Sequence, residues 1–124
     1  MSRICFASYE IHPITSGGCG VLLHNSAHVL LSQGHELIFL FDISELEFQI
    51  FNEQERLKYP HPENCKAYLV ENLCQDLLIP QRRDFLSEFE WRSYRFYHAS
   101  KWIEKEEHPE VIEFFDYCGI AYFT

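Results

Sequence analysis

Apolar and polar positions alternate between two periods along this chain, and the switches between them mark the elements. Ile4 to Ser8 is a short run of almost continuous apolar character, as expected for a central strand covered on both faces. A loop from Tyr9 to Gly20 follows, carrying Pro13 and three glycines, Gly17, Gly18 and Gly20. From Val21 to Gln33 the period becomes helical, with Leu23, Ala27, Leu30 and Leu31 on one face. Gly34 stands where a left-handed cap ends such a helix. Leu37 to Phe41 then reads as a second buried strand, closed by Asp42. Strand, glycine loop, helix and strand in this order predict a right-handed βαβ unit.

The middle of the chain is patterned less regularly. Ser44 with Glu47 three residues on forms a capping box. Ile43, Leu46, Ile50, Phe51 and Leu57 continue at helical spacing, which predicts a helix over 44–58, broken by Pro60-His61-Pro62. Ala67 to Val70 is the expected third strand, and residues 71–82 the loop after it. A long helix is expected from Phe85 to Glu106, stopped at His108-Pro109. Val111 to Phe115 is the fourth strand, Asp116 to Gly119 the turn after it, and Ile120 to Thr124 the start of another helix. The expected class is α/β: a Rossmann-like open parallel sheet with helices on both faces. Such a sheet normally continues past this point, so residues 1–124 are expected to be a truncated domain.

Composition narrows the class of partner. With 47% hydrophobic and 16% aromatic residues, the 124-residue chain has material for one core. Its net charge of −9, with no basic cluster larger than Arg82-Arg83, argues against a nucleic-acid partner, which needs a basic stripe. The run Ile4 to Ala7 is too short for an export signal of roughly 7–15 apolar residues, and nothing approaches the roughly 20 of a membrane helix. The expectation is a cytoplasmic protein without an integral membrane segment, with peripheral contact to a membrane left open. Five cysteines, at 5, 19, 65, 74 and 118, show no CxxC spacing; Cys5 and Cys118 fall in or beside strands, where a thiol acts as a small apolar group.

In doubly wound sheets the chemistry gathers at the carboxyl ends of the strands. The loop Ser16-Gly17-Gly18-Cys19-Gly20 there is either a cradle of backbone N–H groups for an anion or a turn that needs positive φ. It is neither a Walker A loop, having no Gly-Lys-Ser/Thr, nor the GxGxxG fingerprint, since Leu23 takes the third glycine's place. Asp116, Glu10 and Asp42 at strand ends either accept hydrogen bonds from ligand hydroxyls or serve as caps. His24 and His28 are spaced like metal ligands, but Asn25 replaces the general-base Glu of a zincin, and no metal is expected. Tyr94, Tyr97 and Trp102 are read as helix-to-sheet packing, with a sugar-stacking platform as the alternative.

The order of three motifs resembles glycosyltransferase family 4. Met1 to Glu10, then Pro13, then Gly17-Gly18-Cys19-Gly20 is similar to that family's opening strand, acidic residue, proline and Gly-Gly-x-Gly loop. Ala27, Leu30 and Gly34-His35-Glu36-Leu37 resemble its first helix end and Gly-His-Glu-Val segment. Pro109 to Phe114, with Asp116, Tyr117 and Gly119, resembles its fourth strand and acidic turn. The likeness covers both ends of the chain and fades between Ser44 and Arg83.

The resemblance implies the acceptor-side half of a GT-B fold, in which a sugar passes from a nucleotide-sugar donor to a carbohydrate or lipid-linked acceptor with retention of configuration. It implies no metal, and places Gly17, Gly18 and Gly20 against the donor diphosphate. Glu10, Asp116 and Tyr117 would face the cleft. Where glycogen and starch synthase relatives carry a Lys before the glycine pair, this chain has Thr15 and Ser16, which points away from an ADP-glucose synthase. The family's cleft histidine and its donor-binding second domain have no counterpart here, so the polypeptide alone is expected not to catalyse transfer. Two alternatives stand beside this one: an interaction module needing a partner chain, and an unrelated flavodoxin-like nucleotide-binding domain.

Overall fold

A computed structural model describes residues 1–74 and 87–115 of the chain. The described residues form an α/β, Rossmann-like open sheet of four parallel strands with helices on both faces. Strand β1 (Arg3–Ser8) lies inside, paired with β2 (Glu36–Phe41) on one side and β4 (Val111–Phe114) on the other, while β3 (Cys65–Leu69) extends the β2 side. The order β3-β2-β1-β4 means that the chain runs outward through β2 to β3 and then crosses back over β1. The carboxyl ends of β1 and β4 therefore form the point where the order reverses, the place where open α/β sheets bind ligands.

Both faces of the inner strands are dry, as their apolar runs require. On one face, helix α1 (Gly18–Ser32) lays Leu23, Ala27 and Leu31 against Phe6, Leu37, Phe39 and Phe41. Phe51 and Tyr59 complete this layer. The Phe51 ring stands edge-on to Phe39 and Phe41 at centroid distances of 5.2 and 4.9 Å, a preferred geometry for aromatic pairs. On the other face, Cys5, Ala7, Ile38 and Leu40 meet Phe96, Ala99 and Ile103 of α4 (Glu88–Glu107), and Val70 and Cys74 of the short α3 (Val70–Cys74).

Helix ends follow local chemistry. Gly34, at φ 89°, closes α1 in a Schellman arrangement: its N–H donates to Leu31 O and the His35 N–H to Leu30 O. The predicted capping box is present at α2 (Glu45–Ile50), where Glu47 N–H donates to Ser44 Oγ and Ser44 N–H to the Glu47 carboxylate. Ser87 caps α4 by accepting from Glu90 N–H, and His108 ends it in the left-handed region. At the amino edge of the sheet, Arg3 bonds Glu36 at 2.8 Å and the carbonyl of Glu107 at 2.6 Å, tying β1, β2 and α4 together. Glu107 also receives Lys66 and Tyr68; these bonds outweigh its partial burial and hold its carboxyl below the usual range.

Several boundaries differ from those the sequence predicts. The helix expected over 44–58 is α-helical only to Ile50, then widens into a π turn (Phe51–Glu55) and narrows to a 3₁₀ turn (Arg56–Lys58). The widened turn begins at Phe51, whose complete burial between Phe39 and Phe41 outweighs regular helix spacing. The third strand starts at Cys65 and stops at Leu69, because Val70 and Cys74, one helical turn apart, are both buried under α4. Residues 71–74, expected as loop, are thus helical, and the remainder of that loop lies outside the described residues. Among the described residues the fourth strand is an edge, with Val111 half exposed. No helix among the described residues is long and apolar enough to cross a membrane.

Removing the ring at the centre of the aromatic layer should be costly. Phe51→Ala is expected to destabilise the fold by about 3–5 kcal/mol, read as a fall in the urea unfolding midpoint.

Candidate functional site

The segment after β1 is short of regular structure but well braced. Ser8 Oγ, wholly buried, donates to Glu10 O and accepts from Glu10 N–H at 2.9 and 3.0 Å. Thr15 Oγ1 accepts from Ile11 N–H at 2.8 Å, and Thr15 N–H returns a bond to Ile11 O. Ile11 itself is buried in the core, and His12 N–H reaches Gly20 O at 3.3 Å. Two hydroxyl side chains, two backbone bonds and the buried Ile11 side chain thus hold the segment against the first turn of α1.

The three glycines have three different reasons to be there. The predicted glycine loop is mostly helix: α1 starts at Gly18, so Gly18 and Gly20 are helical and only Gly17 precedes it. Gly17 has φ 125°, which other residues rarely adopt, and a Cβ there would meet the Glu10 carboxylate, whose Cδ would lie 2.6 Å away. A Cβ at Gly20 would stand 3.0 and 3.1 Å from the backbone nitrogens of Ile11 and His12, so Gly20 serves the close approach of helix to loop. Gly18 needs neither: its φ is ordinary and nothing lies within 4 Å of its would-be Cβ. It alone leaves backbone open to solvent without a local structural cause.

These residues border a cleft of about 940 Å³ at the carboxyl edge of β1, lined by Tyr9, Glu10, Thr15, Ser16, Gly18 and Glu47 among others. Two carboxylates and three hydroxyl-bearing side chains line it, and no Lys or Arg does among the described residues. Glu10 Oε1 is buried there without a hydrogen-bond partner. A phosphate about 4 Å from that carboxylate would meet repulsion of about 4 kcal/mol per pair of unit charges at an effective dielectric of 20. Neutral hydroxyl groups would meet no such repulsion and could donate to exposed carboxylate oxygen.

Other predicted residues are placed elsewhere. Asp42 is not free for a ligand: Arg95 holds it at 3.2 and 3.3 Å and Arg92 at 3.4 Å, joining the carboxyl edge of β2 to α4. Arg92 also stands over the Tyr9 ring at 4.8 Å, a contact that no sequence spacing could reveal. Trp102 packs edge-on against Tyr68, 5.1 Å between centroids, and Tyr94, Tyr97 and Trp102 are not among the cleft's lining. Asp116, Tyr117 and Gly119 lie outside the described residues. Glu47 was legible only as a cap, and the structure places it in the cleft lining as well.

Sequence spacing also missed a histidine joint on the outer side of the same segment. His24 Nδ1 lies 2.8 Å from Tyr59 Oη, and the His12 ring packs against His24 at 5.3 Å. Burial pushes the Tyr59 hydroxyl well above its ordinary range, so it stays protonated beside His24. Burial, then the neighbouring His12 and His28, lower the pKa of His24, against a smaller opposing effect of Glu55. No group of three His, Cys, Asp or Glu side chains among the described residues is arranged to hold a metal ion. Cys5 is pushed up to about 12 by burial and is an apolar core residue, not a nucleophile.

No protein-family model matches the chain, and neither the curated proteins nor the solved structures contain a significant match to it.

Two outcomes check this anatomy. Gly17→Ala and Gly20→Ala should each lower stability by about 1–3 kcal/mol, from backbone strain and overpacking, whereas Gly18→Ala should be neutral or stabilising by up to about 1 kcal/mol; urea unfolding of the three variants decides. A histidine whose folded pKa is depressed stabilises the fold fully above its unfolded pKa of about 6.5 and progressively less as pH falls below it. The melting temperature should therefore drop on acidification through that range, and His24→Gln should flatten the drop. Because burial also lowers the pKa of His98, part of the slope should persist.

Proposed function

We propose that the chain is the acceptor-side α/β domain of a retaining nucleotide-sugar glycosyltransferase of the family 4 kind. In this reading the cleft after β1 takes a hydroxyl-rich acceptor. The observation behind it is the lining itself: Glu10 and Glu47 as acceptors, Ser16 and Thr15 as hydroxyls, Tyr9 as an apolar wall, and the exposed backbone of Gly18, with no cation in the set. Ionised carboxylates accept several hydrogen bonds each and suit neighbouring hydroxyls on a sugar ring.

The same lining revises the roles that the resemblance implies for the glycines. Gly17 and Gly20 have structural causes, and Glu10 occupies the notch at Gly17, so the diphosphate contact of this segment rests on Gly18. The positive charge that a leaving diphosphate needs would come from the second, donor-binding domain of such an enzyme. Transfer would then occur across the cleft between the two domains, while the residues described here bind and orient the acceptor.

The chain itself tests this through binding, not turnover. Titrating neutral mono- and disaccharides into ¹⁵N-labelled protein should shift the amides of residues 9–19, and Glu10→Gln should weaken the effect about tenfold, the scale of one charge-assisted hydrogen bond. Mononucleotides without sugar should leave these amides unmoved. Tight mononucleotide binding that ignores the sugar would replace this reading with a nucleotide-binding domain.

A further inference from the structure

The aromatic wall of the cleft is braced from outside its own segment. Tyr9 is the first residue past β1; it lines the cleft and packs against the α4-side core. Arg92, early in α4, stands with its guanidinium carbon 4.8 Å from the centre of the Tyr9 ring. Arg92 is not part of the cleft lining, so its effect there passes through that ring. The guanidinium is itself held. Its Nε lies 3.4 Å from Asp42 Oδ2, and the Asp42 side chain is only 11% exposed. Asp42 also accepts from Arg95 Nη1 at 3.2 and 3.3 Å, and its backbone N–H donates to Ser8 O at the end of β1. Arg95 in turn lies over the Trp91 ring at 4.6 Å. One carboxylate thus serves two guanidinium groups and ties them to the carboxyl edge of β1 and β2. Glu88, a further partner of Arg92 at 3.8 Å, is 62% exposed and adds little.

A tyrosine just past a strand has several staggered χ1 wells open to it. A cation over the ring face favours one well over the others by roughly twofold to thirtyfold, the more so as the pair loses water. Here the cation is not on a free stem, because Asp42 fixes where the Arg92 charge sits. The two arginines have separable tasks. Both hold Asp42, but Arg95 faces Trp91 while Arg92 faces Tyr9. Removing either one loosens the clamp; removing Arg92 also releases the cleft wall.

We propose that Arg92 is a positioning residue for the acceptor cleft: held by Asp42, it sets the Tyr9 ring as the wall on which a sugar ring packs, a role that rests on the acceptor reading above. Arg92→Gln and Arg95→Gln each leave Asp42 one guanidinium, so both should fold, which circular dichroism checks; Arg95→Lys replaces the second if it does not. Affinity for neutral mono- and disaccharides, read from the amides of residues 9–19, should fall about threefold to tenfold in Arg92→Gln and stay native in the Arg95 variant. Arg92→Lys keeps a cation and should recover most of the loss. In the free chain with ring-¹³C tyrosine, the Tyr9 signal, assigned through Tyr9→Phe, should move in Arg92→Gln and not in the Arg95 variant. A merely structural role would affect both alike. Native affinity in folded Arg92→Gln, or equal losses in the two variants, would overturn the positioning role and leave the acceptor reading standing. If the native chain binds no saccharide, the acceptor reading fails and the ring signal decides. Unmoved in Arg92→Gln, it overturns the role; moved there alone, it upholds Arg92 as the residue that sets the cleft wall.

Discussion

The close approach of α1 to the backbone of Ile11 and His12 is the constraint on which the carboxyl edge of this domain depends. Glycine at position 20 favours it, since a Cβ would crowd two backbone nitrogens at 3.0–3.1 Å. Once the helix is seated there, its first turn, the notch at Gly17 and the carboxylate of Glu10 have little freedom. Ser8 and Thr15 then satisfy the polar groups that this tight path would strand. The cleft is shaped by backbone packing before any side chain lines it.

That origin explains why the glycines resist a single functional label. A Gly-rich turn before a helix suggests an anion site, because free N–H groups and the helix dipole both favour negative charge. Here the protein's own carboxylate already sits at that end of α1, and no Lys or Arg among the described residues lines the cleft. Two carboxylates beside hydroxyls make an environment for neutral polar groups and a poor one for a lone phosphate. An acceptor-binding role is compatible with this electrostatic sign, provided the charge of a donor is met from another domain.

The two faces of the sheet are sealed by different means, and the difference bears on where the domain can give way. The α4 side is aliphatic at its centre and clamped at its margins by Arg3, Arg92, Arg95 and Glu107. The α1 side is aromatic at its centre and almost free of ions along the helix. Its edge carries the histidine joint between His24 and Tyr59, where burial lowers the pKa of His24.

How much of this was legible in the residues alone follows from how local each cause is. The parallel α/β class, the strands at Ile4 to Ser8 and Leu37 to Phe41, the Ser44–Glu47 box and the Gly34 cap depend on neighbours within a few positions. Periodicity and capping chemistry therefore revealed them. The π turn at Phe51, the short α3 and the start of α1 at Gly18 answer to burial against distant strands, and local propensity could not show them. The same holds for the site. Glu10 and the glycines were identifiable as candidates from their place after β1. That Glu10 fills the notch at Gly17, that Asp42 is spoken for by two arginines of α4, and that Glu47 joins the cleft are relations set by the path of the chain in space. Sequence determined which groups were available at the carboxyl edge; only tertiary packing decided which of them remained unpaired, because a hydrogen bond or ion pair depends on distance in space and not along the chain.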